Sequence, residues 1–228
     1  AKAKIINFSR PADMFGLAVS LQVSPHARPQ TVIEALERAM QGCRPLLAKP
    51  APSVAFKASV SGGVEYEISG FVPAMALKRE VRNQLYDLAF RHLQAAGVGL
   101  LSATESSTPP AMSTARALLE RSSIFSTLRQ EEKETFSQNM KLQNFRAGEM
   151  ILPAGEVSDH LFIIESGVVS VELSRGGVKF ESGRMGPGEV IGEGGILSDT
   201  ALPADFSAKT FCSLYRIEKE YLIPYLDA

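Results

Sequence analysis

The chain has 228 residues, with 24 Lys and Arg against 25 Asp and Glu, a formal net charge of -1, and 45% apolar residues. Such a length holds one large domain or two ordinary ones, and the composition allows a substantial core in each half. Near-neutral charge excludes the broad basic field of a nucleic-acid binder. No run reaches the ~18–20 apolar residues of a membrane-spanning helix, and no signal peptide opens the chain.

The chain starts at Ala1 without an initiator Met and runs straight into the strand-like "KIINFS", which implies a piece of something longer. "AVSLQVS" reads as a strand. "RPQTVIEALERAMQGC" then places Val32, Leu36, Ala39, Met40 and Cys43 on one helical stripe, with Pro29 in the first turn. "SVAFKASV" and "VEYEISGFV" alternate apolar and polar, so a hairpin is expected, with Val54, Phe56, Ala58 and Val60 facing Val64, Tyr66 and Ile68 across a Ser61-Gly62-Gly63 turn. "MALKREVRNQLYDLAFRHLQAAG" carries Leu77, Val81, Leu85, Leu88, His92 and Ala96 at helical spacing and stops at Gly97. The expected order in this half is β-α-β-β-α.

"SATESSTPPAMST", residues 102–114, breaks the pattern and reads as a linker. Beyond it "TARALLERSSIFSTL" and "EEKETFSQNM" look helical. From Leu142 to Ile217 the period switches to two: "FRAGEMIL", "HLFIIESG", "VVSVEL", "VKFESG" and "SLYRIE" read as short strands joined by glycine turns. A small barrel or jelly roll follows from that spacing. "EKEYLIPYL" begins a last helix that Pro224 is expected to stop early. The fold class is α+β, a β-α-β-β-α sandwich domain followed by a β-roll with flanking helices.

Chemistry-bearing motifs are sparse. His26, His92 and His160 lie far apart and none has metal-ligand spacing, so no metal site is expected. Cys43 and Cys212 show no redox spacing and are expected to be structural thiols in a reducing compartment. No GxSxG or Walker A sequence occurs, and Ile191 occupies the third glycine position of a GxGxxG read from Gly186 and Gly188. No enzyme activity is expected. Glu149, Glu156, Glu189 and Glu193 each follow a glycine at a probable turn, where a carboxylate that is solvated or caps backbone is commoner than a catalytic one. "GEVIGEGGILSDTALPADFSAKT", residues 188–210, has the glycine-rich backbone that can curl around an anion, yet no Lys or Arg precedes Lys209.

"FRAGEMILPAGEVSDHLFIIESGVVSVEL" and "GPGEVIGEGGIL" resemble the cyclic-nucleotide-binding domain family, on Arg146, Gly148, Glu149, Gly155, Glu156, Leu161, Ile164, Gly167, Val169, Gly188, Gly192 and Glu193. The resemblance covers residues 115–228. It implies a phosphate-binding cassette opened by Gly192 and Glu193, with Glu193 accepting from a ribose hydroxyl and the N–H groups near Gly194 and Gly195 meeting a cyclic phosphate. The candidate ligand residues for cAMP or cGMP are Gly192, Glu193, Gly194, Gly195, Ile196, Leu202, Ala204 and Asp205. The family's cassette arginine falls at Leu202 and its following Ser or Thr at Asp205, so weak binding is expected, with Asp205 adding repulsion.

"KIINFSRP", Pro50-Ala51-Pro52, "GVEYEISGFV" and "EVRNQLYDLAFRHLQAAGV" are similar to the cytoplasmic end of small-conductance mechanosensitive (MscS-like) channels. That resemblance implies residues 1–17 as the end of a middle β domain and 18–101 as an α/β domain. It also implies pore helices upstream, a homo-heptamer, and a place at the cytoplasmic face of the bacterial inner membrane. Together the two resemblances imply a channel's regulatory part, its second half biasing the gate. The alternatives are a soluble cyclic-nucleotide-type sensor, or an assembly domain whose cassette binds nothing. A DNA-binding regulator would need a basic recognition helix, which this sequence does not show.

Overall fold

The computed structural model describes residues 14–60, 62–100, 114–198 and 200–226. The chain divides into two compact units, Ala1–Ala103 and Thr104–Ala228. "KIINFS" and residues 102–113 of the expected linker lie outside the described residues. Among the described residues no helix is long and apolar enough to cross a membrane.

The first unit follows the order β1 (Phe15–Val23), α1 (Pro29–Gly42), β2 (Ser53–Val60), β3 (Gly63–Val72) and α2 (Lys78–Ala95). Its sheet is antiparallel in the order β1-β3-β2. Alternation in β1 sends Leu17, Val19, Leu21 and Val23 to one face, where Tyr66, Ile68 and Val72 of β3 join them. The helical stripes Val32, Leu36, Ala39 and Met40 of α1 and Val81, Leu85, Leu88 and Leu93 of α2 close that core. Gly97, at φ 70, ends α2, its N–H bonding Gln94 O at 3.0 Å.

Two expectations need correction here. The boundary after residue 17 would cut β1, because Phe15, Gly16 and Leu17 already pair with Val72, Phe71 and Gly70. The hairpin also slips: Val54 faces Ile68 and Phe56 faces Tyr66, but the register shifts between Phe56 and Ala58, so Ala58 faces Glu65 rather than Val64. Gly63 belongs to β3 and not to the turn. The extra residue of the bulge is Lys57, whose Nζ reaches Glu65 at 3.0 Å, Glu67 at 3.1 Å and Ser20 Oγ at 2.8 Å on the sheet's polar face.

The second unit starts with α3 (Thr114–Arg121) and α4 (Gln130–Asn139), so Thr114 is helical and not linker. Arg116 and Lys133, both buried, fasten these helices: Arg116 donates to Gln130 O at 2.9 Å and pairs with Glu134 at 3.0 Å, and Lys133 pairs with Glu120 at 2.9 Å. The strands are β4 (Lys141–Phe145), β5 (Met150–Leu152), β6 (His160–Ser166), β7 (Val169–Arg175), β8 (Val178–Met185), β9 (Val190–Ile191), β10 (Asp205–Ala208) and β11 (Cys212–Glu218). They form two antiparallel four-stranded sheets, β5-β10-β7-β8 and β4-β11-β6-β9. β6 is covered on both sides: Leu161 and Ile163 meet the helices, while Phe162 and Ile164 meet the other sheet.

"FRAGEMIL" is therefore not one strand. The turn at Arg146–Glu149 passes the chain from one sheet to the other, with Glu149 Oε2 accepting Arg146 N at 2.8 Å. The stretch 188–210 is not one loop either, since it contains β9, a short helix α5 (Glu193–Ser198) and β10. The last helix, α6 (Lys219–Leu226), runs past Pro224. A proline within a helix removes one N–H from the ladder without always ending it.

Candidate ligand-binding cassette

The cassette is positioned by β9. Val190 and Ile191 pair with Ile163 and Phe162 of β6, and Gly188 N donates to Ile164 O at 2.8 Å. Glu189 Oε2 accepts Gly186 N at 2.6 Å, so this carboxylate caps its turn. Gly192 follows at φ 89. A Cβ there would come within 3.1 Å of both His160 O and a Leu152 methyl, so the backbone turns at a point where only glycine fits. The chain then enters α5.

The expected site residues separate into two groups. Glu193 and Gly194 are exposed, and a Cβ on Gly194 would meet nothing within 4 Å. Gly195 is buried against the loop before β6, where its Cβ would lie 3.1 Å from Ser158 N. Ile196 is buried in the cluster that holds Leu119, Leu161, Ile163, Ile217 and Leu222, so it anchors α5. Thr200 Oγ1 donates to Gly194 O at 3.1 Å.

Leu202 and Ala204 are also buried. Leu202 packs with Leu152, Phe162, Ile164, Val169, Ile191 and Leu214 in the roll's core. Its N–H donates to Glu156 O at 2.9 Å and its carbonyl accepts Gly155 N at 2.9 Å, which ties the cassette's end to the loop before β6. The apolar side chain of Leu202 gains from burial in this core.

Asp205 is buried and held by two partners. Its Oδ1 accepts Ala154 N at 2.8 Å and its Oδ2 pairs with Lys179 of β8. The Ala154 N–H and then the Lys179 ammonium hold its carboxyl below the usual carboxylate range. It stays ionised, and the Lys179 ammonium offsets part of its charge. Ala154, Ser158 and Lys179 were not legible as cassette supports. Gly155 and Glu156 marked their loop, but Lys179 carried only its place in a strand.

One further residue opens the roll's inner side. Val171 faces Gly183 and Val169 faces Met185, so Gly183 shares the inner face with Met185. Among the described residues, a Cβ on Gly183 would meet nothing within 4 Å. On the outer face Glu181 accepts from Ser170 at 2.9 Å, Arg184 at 2.8 Å and Lys209 at 3.2 Å, which engages the nearest cation after the cassette. The Arg184 guanidinium, followed by Ser170 and Lys209, holds the Glu181 carboxyl down at about 2.

Comparison with known proteins bears on this unit. Residues 142–228 match the family model of the cyclic nucleotide-binding domain. A cGMP-dependent protein kinase of Plasmodium berghei (strain Anka) is 28% identical over 106 residues, 46% of this chain and 12% of the kinase. The regulatory domain of Toxoplasma gondii PKA with cAMP is 18% identical, with a TM-score of 0.48 over 53% of this chain and 46% of that one. A cyclic nucleotide-binding-like protein from Brucella abortus is 18% identical, with a TM-score of 0.46 over 51% of this chain and 100% of that one. The second unit thus carries a cyclic nucleotide-binding-type roll with flanking helices, and the family match does not extend to the first unit.

Proposed function

We propose that the second unit is a regulatory module that takes a cyclic nucleotide between α5 and the inner face of the roll. The match of residues 142–228 to the cyclic nucleotide-binding domain carries this reading. The exposed Glu193 and Gly194 and the open space at Gly183 supply a ligand-facing surface that agrees with it. Glu193 accepts from hydroxyls of the ligand, and the backbone around Gly194 approaches it without a side chain between. With Leu202 in the core and no Lys or Arg in residues 188–205, the affinity is weak: a missing charge-assisted bond of ~1.5–3 kcal/mol corresponds to roughly ten- to a hundredfold.

The finer reading joins this module to a mechanosensitive channel, with the first unit as part of its cytoplasmic end and the assembly a ring of copies. The segments "GVEYEISGFV" and "EVRNQLYDLAFRHLQAAGV" support it, together with the β-α-β-β-α order they belong to. A ligand biases such a gate only by binding its two states unequally, by ~1–3 kcal/mol for typical coupling. A soluble sensor uses the same module and differs in what the first unit assembles with.

Titration calorimetry with cAMP, cGMP and a cyclic dinucleotide tests the module. Weak binding that is lost in Gly183→Leu and reduced in Glu193→Ala is the expected result. Binding indifferent to both variants places the ligand elsewhere, and no heat with any of the three nucleotides removes the proposal.

A further inference from the structure

Away from the cassette, three side chains with metal-binding atoms converge at one end of the roll. In the antiparallel pairing of β6 and β11, Glu218 stands directly opposite His160, which puts both side chains on one face. Asp159 precedes His160, and its Oδ1 lies 2.6 Å from His160 Nδ1. One donor atom from each of the three lies within 4.8 Å of the other two.

The surroundings hold this arrangement. The His160 ring stands edge-on to Phe162, with centroids 5.1 Å apart. Ser158 Oγ donates to His160 O at 2.5 Å, and Lys219 N donates to Asp159 O at 2.8 Å. Two cations share the region: Arg216 Nη2 lies 3.1 Å from Glu218 and 3.9 Å from Asp159, and Lys141 Nζ lies 3.9 Å from Glu218. Arg216 Nε is buried with no hydrogen-bond partner among the described residues, so the guanidinium is incompletely satisfied where it stands. Asp159 is 81% exposed, which gives an ion a path from solvent.

We infer that Asp159, His160 and Glu218 form a binding site for a divalent transition ion of the zinc class. One imidazole nitrogen and two carboxylate oxygens supply three ligands of a tetrahedral zinc site, with water as the fourth. The nitrogen donor discriminates against Mg2+ and Ca2+, which prefer shells of oxygen. The ion competes with Arg216 for the two carboxylates. It also ties the start of α6 to the loop carrying Ser158, on which Gly195 of α5 rests. Spacing along the chain hides the site, because strand register, not sequence proximity, brings Glu218 to His160.

Thermal unfolding of the whole chain with Zn2+ and, in parallel, Mg2+ tests the site, joined by X-ray absorption at the zinc edge. Zn2+ is expected to raise the Tm and Mg2+ to leave it unchanged. His160→Ala and Glu218→Gln each lose the shift, and Glu149→Gln keeps it. The zinc-free melting curve of each variant reports whether it folds. The absorption spectrum is expected to show a nitrogen and oxygen shell at ~2.0–2.2 Å. A shift that survives His160→Ala, a sulfur shell at ~2.3 Å, or no shift with millimolar zinc overturns the inference.

Discussion

The two units treat buried polar groups in opposite ways. In the first, His92 of α2 lies in the core, with no hydrogen-bond partner for its Nε2 among the described residues. Burial, then the charges of Arg91 and Arg38, push its imidazole down to about 3, so it stays neutral near pH 7. In the second unit the buried Arg116, Lys133 and Asp205 have partners, Arg116 with Glu120 and Glu134, Lys133 with Glu120, and Asp205 with Lys179, while Arg216 pairs with Glu218 through Nη2 alone. One unit tolerates a buried base by keeping it uncharged, and the other keeps its charges by pairing them. They are therefore weakened by different insults.

The largest effect is expected from adding a charge where the second unit has no partner for it. Leu202→Arg, in the roll's core, costs about 3–5 kcal/mol, comparable to breaking a buried ion pair. Urea unfolding read from NMR signals of each unit locates the loss in the second one. If the variant keeps its stability and binds cAMP more tightly, the side chain at 202 turns to the ligand and the core assignment fails.

Acid separates the units next. The His92 imidazole has a folded value of about 3 against an ordinary 6.5. The unfolded chain therefore takes up a proton first, and the first unit loses stability as pH falls below 6.5. The slope approaches about 1.4 kcal/mol per pH unit, or roughly 2 kcal/mol by pH 5. His92→Leu removes that dependence and stabilises the unit by about 1 kcal/mol at pH 7. An unchanged pH profile in His92→Leu refutes the assignment.

The smallest effect sharpens the contrast. Glu181 is held at about 2 against an ordinary 4.5, so its contribution is complete above 4.5 and lost as pH falls toward 2. Partial exposure screens its partners, so Glu181→Gln costs about 0.5–1 kcal/mol at pH 7. The same urea series shows the difference vanishing near pH 2.

Periodicity revealed most of the elements, since burial on one face writes a period into the sequence. The β1-α1-β2-β3-α2 order, the helical stripes and the glycine-joined strands of the roll follow from it. What stayed hidden depends on pairing across the fold. Lys57 reads as the polar member of an alternating strand, and only the register with β3 makes it the extra residue of a bulge. The glycines of Gly192–Gly195 pointed to a loop because glycine is a poor helix former. Their contacts with His160 and Ser158 instead allow a tight entry into α5. The partner of Asp205 sits on another strand, and no local signal announces Lys179.

The bulge at Lys57 has a consequence for self-association. β2 is an edge strand with Phe56 standing 61% exposed, the kind of margin on which identical chains stack. At its middle the edge carries one residue too many, and that residue is a lysine drawn toward Glu65 and Glu67 of its own sheet. A second copy laid along β2 would meet a break in its row of amide partners and have to bury a like charge against this one. The bulge and its lysine make β2 a poorer template for a second strand at the point where its aromatic side chain stands exposed.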